Sequence, residues 1–281
     1  MRFFTKSNIF YSLITLVILA AVSISFIQIT TNDTRKETEE QMRDLSNQRI
    51  SVISQKFHAD SVCLHSIAET VGNSTLQLNT EALRSYLNRK RAIYGFSDIV
   101  VVDLEGKSMS AIGNKLPNLK DREYFKLALQ GKVVLHNGMS FDGNAQYMVR
   151  IATPLQRNGR TIAVLLGVYF PQQLRNLLNA NLFENQVRTK LITSAGDVIA
   201  IHNTEYAFHT IEQFFDSKFT SIAPAEHEHY MDLLHNDRQG FAIYTYDGEE
   251  YLVSLTPMNM HNFNTIDHAR WYLSMAVPYE L

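Results

Sequence analysis

Residues 101–113 read VVDLEGKSMSAIG, and residues 191–203 read LITSAGDVIAIHN. Both stretches run from an apolar strand through a turn to a partner strand, with Gly106 and Gly196 aligned in the turns. The correspondence continues downstream. Phe141-Asp142-Gly143, Tyr147-Met148-Val149 and Thr153-Pro154 match Tyr246-Asp247-Gly248, Tyr251-Leu252-Val253 and Thr256-Pro257. TIAVLLGVYFP (161–171) matches WYLSMAVP (271–278). A chain that repeats one supersecondary plan in this way builds one lobe twice. The fold class is therefore α+β, with two lobes at 90–175 and 187–281. Each carries an antiparallel sheet, and a helix at 171–186 joins them.

Within the first copy, IVVVD (99–103) reads as a buried strand turned by Leu104-Glu105-Gly106. DREYFKLALQ (121–130) reads as a short helix ended by Gly131. YMVRIATPLQ and RTIAVLLGVYF flank Asn158-Gly159, a pair that tolerates φ > 0 at both turn positions and so predicts a hairpin. TIAVLLGV is apolar on both faces, which predicts a central strand covered on both sides.

Upstream, residues 33–71 contain neither Pro nor Gly. Ile50, Ile53, Phe57, Leu64, Ile67 and Val71 recur at spacings of three and four, with Asp60 the polar member of that register. This is a long amphipathic helix. Its first part, 33–44, is nearly all polar and suits a solvated stalk or a loose dimer contact, supported by the spacing-four pairs Glu37 with Gln41 and Glu39 with Arg43. Residues 79–92 give a second, short helix.

Further upstream, IFYSLITLVILAAVSISFIQI (9–29) carries no charge. At ~1.5 Å per residue it spans the ~30 Å core of a bilayer. Arg2 and Lys6 precede it and a mixture of charges follows, so the positive-inside bias puts 1–8 in the cytoplasm and 30–281 outside. A secretory signal has an apolar region of only ~7–15 residues, and the length here favours a retained transmembrane helix.

A net charge of −2 and a pI near 6.6 exclude an electrostatic nucleic-acid binder. Cys63 is the single cysteine, so no internal disulfide forms, and a buried inert thiol is expected there. No G-x-S-x-G, P-loop, HExxH or kinase signature occurs, so no enzyme activity is expected of this chain. His227-Glu228-His229 with His235 is weak as a metal set. His227 and His229 lie two apart, on different faces of a helix, and solvated surface explains them better. No metal and no cofactor is expected.

In the order and spacing of these pieces the chain resembles the double Cache family of extracytoplasmic sensor regions, found in bacterial chemoreceptors, histidine kinases and diguanylate cyclases. The carrying pieces are the N-terminal anchor, the long helix, VVVDLEG, Arg122-Glu123-Tyr124-Phe125 followed by Ala128 and Gly131, IATPL, VLLGVYF and WYLSMAVP. The resemblance implies a PAS-like fold in each lobe and a small-molecule pocket in the first, membrane-distal lobe. The family's usual pocket pattern is Arg-x-Trp-Tyr, with an acid near the end of the last distal strand. Here the Arg is Arg122, the aromatics are Tyr124 and Phe125, and the strand end is Gly167-Val168-Tyr169. The missing acid weakens the case for an α-amino acid and leaves a carboxylate or other organic anion. Within the family a second span and an output domain normally follow, so a chain stopping at Leu281 is expected to be the outer part of a two-span receptor.

Five residues are candidates for ligand contact. Arg122 offers a guanidinium that takes a carboxylate through two parallel bonds, against the alternative of a surface ion pair with Asp121 or Glu123. Tyr124 and Phe125 point ~100° apart on a helix, so one is expected at the ligand, Tyr124, and the other in the core. Asp142 either holds a ligand amine or serves as a hairpin-turn residue like Asp247. Tyr169 lies in a buried strand, with core packing the default and pocket lining the other role. The expected partners are a small-molecule ligand, the membrane, and a second copy through the long helix. The rival readings are an anchored hydrolase without a recognisable motif and a purely structural interaction module.

Overall fold

The computed structural model describes residues 6–139, 147–178, 187–201, 209–260, 263–265 and 270–279. The chain divides into two compact units at Leu45 and Ser46. Helix α1 (Lys6–Gly72) supplies the described part of the first unit and opens the second. In the first unit, Arg35 pairs with Glu39 at 2.9 Å and Gln41 Nε2 donates to Glu37 Oε1 at 3.5 Å. Among the described residues no helix is long and apolar enough to cross a membrane. Residues 9–29 have helical backbone within α1, and their side chains lie outside the described set.

The second unit contains two six-stranded sheets. The first runs β11-β3-β4-β5-β1-β2 and the second β7-β6-β12-β10-β9-β8. The strands of the first lobe are β1 (Asp98–Asp103), β2 (Ser108–Ser110), β3 (Val134–Met139), β4 (Tyr147–Arg157) and β5 (Arg160–Tyr169). Those of the second are β6 (Arg188–Thr193), β7 (Val198–Ile201), β8 (Thr220–Ser221), β9 (Gly240–Tyr246), β10 (Glu249–Met258) and β12 (Trp271–Pro278). With the two-residue edge strands β11 and β8 set aside and the rest renumbered within each lobe, both sheets carry the order 2-1-5-4-3, which is the duplication seen in the sequence. The short strand β11 (Asn264–Thr265) comes from the second lobe's segment of chain but pairs in parallel with β3. It adds a sixth strand to the first sheet and ties the lobes together.

Local signals explain the helices. Helix α2 (Glu81–Tyr94) starts at Thr80, whose side chain accepts from Leu83 N, and ends at Gly95 with φ 78°. Helix α3 (Glu123–Leu129) ends before Gly131, which has φ 88°. Helix α4 (Pro171–Leu178) begins the expected connector, and 179–186 lie outside the described residues. In the second lobe, α5 (Ile211–Phe215) and α6 (Pro224–His235) cover the sheet. The Asn158-Gly159 hairpin joins β4 to β5, with both turn residues at positive φ.

Helix α1 packs through its apolar register on the back of the sheets. Ile53, Phe57, Leu64, Ile67 and Val71 are buried. Asp60, the polar member, is buried too, and accepts from Tyr169 Oη and from Lys56 Nζ. Ser46 Oγ and Ser254 Oγ share a hydrogen bond of 2.9 Å, so the same helix reaches the second sheet. The C-terminus of α1 is held by Arg157, which donates to the carbonyls of Gly72, Ser74 and Leu76. Cys63, expected to be buried, is half-buried and free, because it stands beside the packing face of α1 and not within it.

Candidate ligand-binding site

Strand β5 divides the first lobe. Val164, Leu166 and Val168 face α3, and Leu165, Gly167 and Tyr169 face the other way. Directly across from Val168 stand Asp98 on β1 and Arg150 on β4. Residues opposite one another in an antiparallel sheet share a face. Asp98, Val168 and Arg150 therefore form one row across the sheet, with the acid and the guanidinium about 10 Å apart at their Cα atoms, two strand spacings.

This row, with Val100, Leu166 and Met148, lines one side of a cavity of about 180 Å³. Asn114, Lys115, Leu116 and Leu119, from the segment that follows β2, line the other. The cavity is mostly apolar with a few polar groups, the usual composition of a small-molecule site.

Arg150 is only 1% exposed. Burial pulls its guanidinium down to about 10, and Arg122 adds repulsion. Its Nη1 donates to the Gly138 carbonyl at 3.4 Å. Asp98 accepts from Ser110 Oγ at 2.6 Å and from Ala111 N at 3.1 Å, and burial still raises its carboxyl above the ordinary value. His136 lies 4.9 Å from the Tyr124 ring. Burial first, then Arg150 and Arg122, push that histidine down to about 4, so it is neutral at physiological pH. Tyr124 Oη and His136 Nδ1 are buried and have no hydrogen-bond partner among the described residues. Both residues stand near Arg150, and neither lines the cavity.

The predicted residues fall differently. Arg122 stands exposed at the start of α3 and does not line the cavity, although its charge reaches Tyr124, His136 and Arg150. Tyr124 and Phe125 are both buried in the first lobe's core, contrary to the expected split. A two-turn helix set into a sheet is covered across the ~100° that separates neighbours. Tyr169 is on the opposite face from the cavity, where it packs against Phe57 and Phe96 and donates to Asp60. Asp142 lies outside the described residues. Sequence reasoning missed Arg150 and Asp98. The available signal was an arginine inside the apolar run YMVRIATPLQ, since arginine is seldom fully buried without a reason.

The Cache domain family model matches residues 30–281. The chain belongs to the Cache domain family. Its fold is shared with solved chemoreceptor ligand-binding domains. The domain of Pseudomonas fluorescens CtaA in complex with L-serine has 16% identity and a TM-score of 0.61, over 87% of this chain and 98% of that one. The domain of Pseudomonas aeruginosa PctB in complex with L-Arg has 15% identity and a TM-score of 0.61, over 86% and 96%. The domain of Pseudomonas aeruginosa PctC in complex with GABA has 14% identity and a TM-score of 0.58, over 86% and 100%. At these identities the likeness establishes the fold alone. A search of curated proteins finds no match. Within this Cache domain, the row across β1, β5 and β4 positions the charged groups of the cavity.

Proposed function

We propose that this Cache domain is the sensor region of a membrane-anchored receptor and binds a small carboxylate-bearing organic ligand in the cavity of the first, membrane-distal lobe. The observation that carries this reading is Arg150, a buried guanidinium on the cavity wall. A dry guanidinium favours a carboxylate through charge-assisted, bidentate bonds. Lys115 and Arg122 add positive potential. Asp98, across Val168, gives an amino group on the same ligand an acceptor, so the lack of an acid at 167–169 does not exclude amine-bearing ligands. The ligands named for CtaA, PctB and PctC are compatible with that chemistry.

The uncharged run 9–29 supports anchoring, with residues 30–281 outside the cytoplasm. Val52 and Val62 stand exposed on α1 and support a homodimer through that helix. Ligand binding then biases one of two arrangements of the helix pair, as population shift requires. Catalysis is not assigned to this chain.

The test is a thermal-shift screen of the full chain in nanodiscs against organic acids, amino acids and amines, followed by calorimetry of hits. A compound that raises the melting temperature, and no longer binds Arg150→Met, supports the reading. A broad library without a hit, or hits that bind Arg150→Met unchanged, overturns it.

A further inference from the structure

The second lobe repeats the first, but its corresponding strand carries different chemistry. Arg188 and Lys190 occupy in β6 the positions that Asp98 and Val100, both cavity-lining, occupy in β1. The registers agree: Asp98 and Val100 pair with Val168 and Leu166 on β5, and Arg188 and Lys190 pair with Ala276 and Ser274 on β12.

Lys190 is 4% exposed. Its ammonium lies 3.7 Å from the centre of the Phe214 ring and 5.0 Å from that of Tyr244, and it donates to Tyr244 Oη at 3.4 Å. The Arg188 guanidinium stacks 4.2 Å from the centre of the Tyr246 ring. No carboxylate acts on either cation among the described residues. Ring faces and one hydroxyl return less than a buried ammonium loses on leaving water. The pair also repel each other, and burial brings Lys190 down to about 7. Two further polar atoms are unfilled. Among the described residues, Ser274 Oγ, directly across from Lys190, and Tyr230 Oη are buried without a hydrogen bond of ordinary geometry, although the two hydroxyls neighbour each other.

We infer that the second lobe holds a separate anion site, in which Lys190, Ser274, Tyr230 and Arg188 receive a small monocarboxylate. The ammonium gives one donor to Tyr244 Oη and keeps two, the two neighbouring hydroxyls can turn theirs to a guest, and Arg188, half-buried, supplies the second charge. A carboxylate spreads one negative charge over two acceptor oxygens, which fits these donors. Phe214 and Tyr244 favour a short apolar substituent over a second charge, so a phosphate dianion fits poorly. The site does not depend on the first lobe's cavity.

Acetate is the probe. The full chain in nanodiscs is titrated with sodium acetate against sodium chloride at matched ionic strength, and with inorganic phosphate in parallel. The melting temperature and calorimetric affinity are read for wild type, Arg150→Met, Lys190→Met and Ser274→Ala. The expected result is acetate binding retained in Arg150→Met, lost in Lys190→Met and weakened at least fivefold in Ser274→Ala. Acetate binding that disappears in Arg150→Met belongs to the first lobe and overturns the inference, as does binding unchanged in Lys190→Met. Phosphate binding as tightly as acetate overturns the choice of ligand class. If Lys190→Met fails to fold, Ser274→Ala decides: an unchanged acetate affinity overturns the inference.

Discussion

Replacing Arg150 with methionine separates a binding residue from a structural one. The side chain is 1% exposed, and its fall from the ordinary arginine value to about 10 is driven first by burial. At ~1.36 kcal/mol per pH unit, that fall corresponds to about 3 kcal/mol by which the fold disfavours the charged form. Methionine keeps an unbranched stem in the same space and removes the charge. The loss of the long hydrogen bond to Gly138 O offsets about 1 kcal/mol. We predict that ligand-free Arg150→Met is more stable than wild type by about 1–2 kcal/mol, and that it loses carboxylate binding. For a body of this size the melting temperature rises by roughly 2–8 °C. The assay is thermal and urea unfolding followed by the fluorescence of Trp271, the single tryptophan, whose Nε1 donates to Asn137 across the lobes. A variant less stable than wild type by more than ~1 kcal/mol makes Arg150 a strut of the lobe, and the argument that its buried charge costs the ligand-free fold stability falls.

Three further outcomes follow from the same packing. Gly72→Ala gains up to ~1 kcal/mol in helix propensity, but its Cβ would collide with the Gln156 carbonyl oxygen, so a net loss of about 1–2 kcal/mol is expected in urea unfolding; a stabilised variant refutes the contact. Tyr169→Phe leaves Asp60 without its tyrosine donor and costs about 1–3 kcal/mol, yet calorimetric affinity for any distal-cavity ligand stays unchanged, because Tyr169 faces away from the cavity. Lys190, held near 7 against 10.5 for an exposed lysine, makes stability depend on pH. Between those values the unfolded chain binds a proton that the folded chain lacks. In carboxylate-free buffer, stability therefore rises from pH 7 towards 10.5, by up to ~1.36 kcal/mol per pH unit from this group, and unfolding curves of Lys190→Met lack that increment.

The sequence by itself determined the elements and their repetition. Gly106 and Gly196, the Asn158-Gly159 turn and the apolar runs after them are local signals, and two copies of one local pattern fold to one topology. The three-and-four register of α1 identified its packing face down to Asp60, because helical geometry converts spacing into direction without reference to the rest of the chain. Which side chains meet at the cavity was decided only by the tertiary structure. Asp98 and Arg150 lie fifty-two positions apart and become neighbours of Val168 through strand pairing, a relation that no local spacing encodes. An acid does line the cavity, but it stands on the adjacent strand, at Asp98. Tyr169 was turned from the cavity by the alternation of that same strand and held there by Asp60. Arg122 matched the family pattern yet came to rest exposed at the start of α3, while a buried arginine in the middle of β4 took the cavity wall.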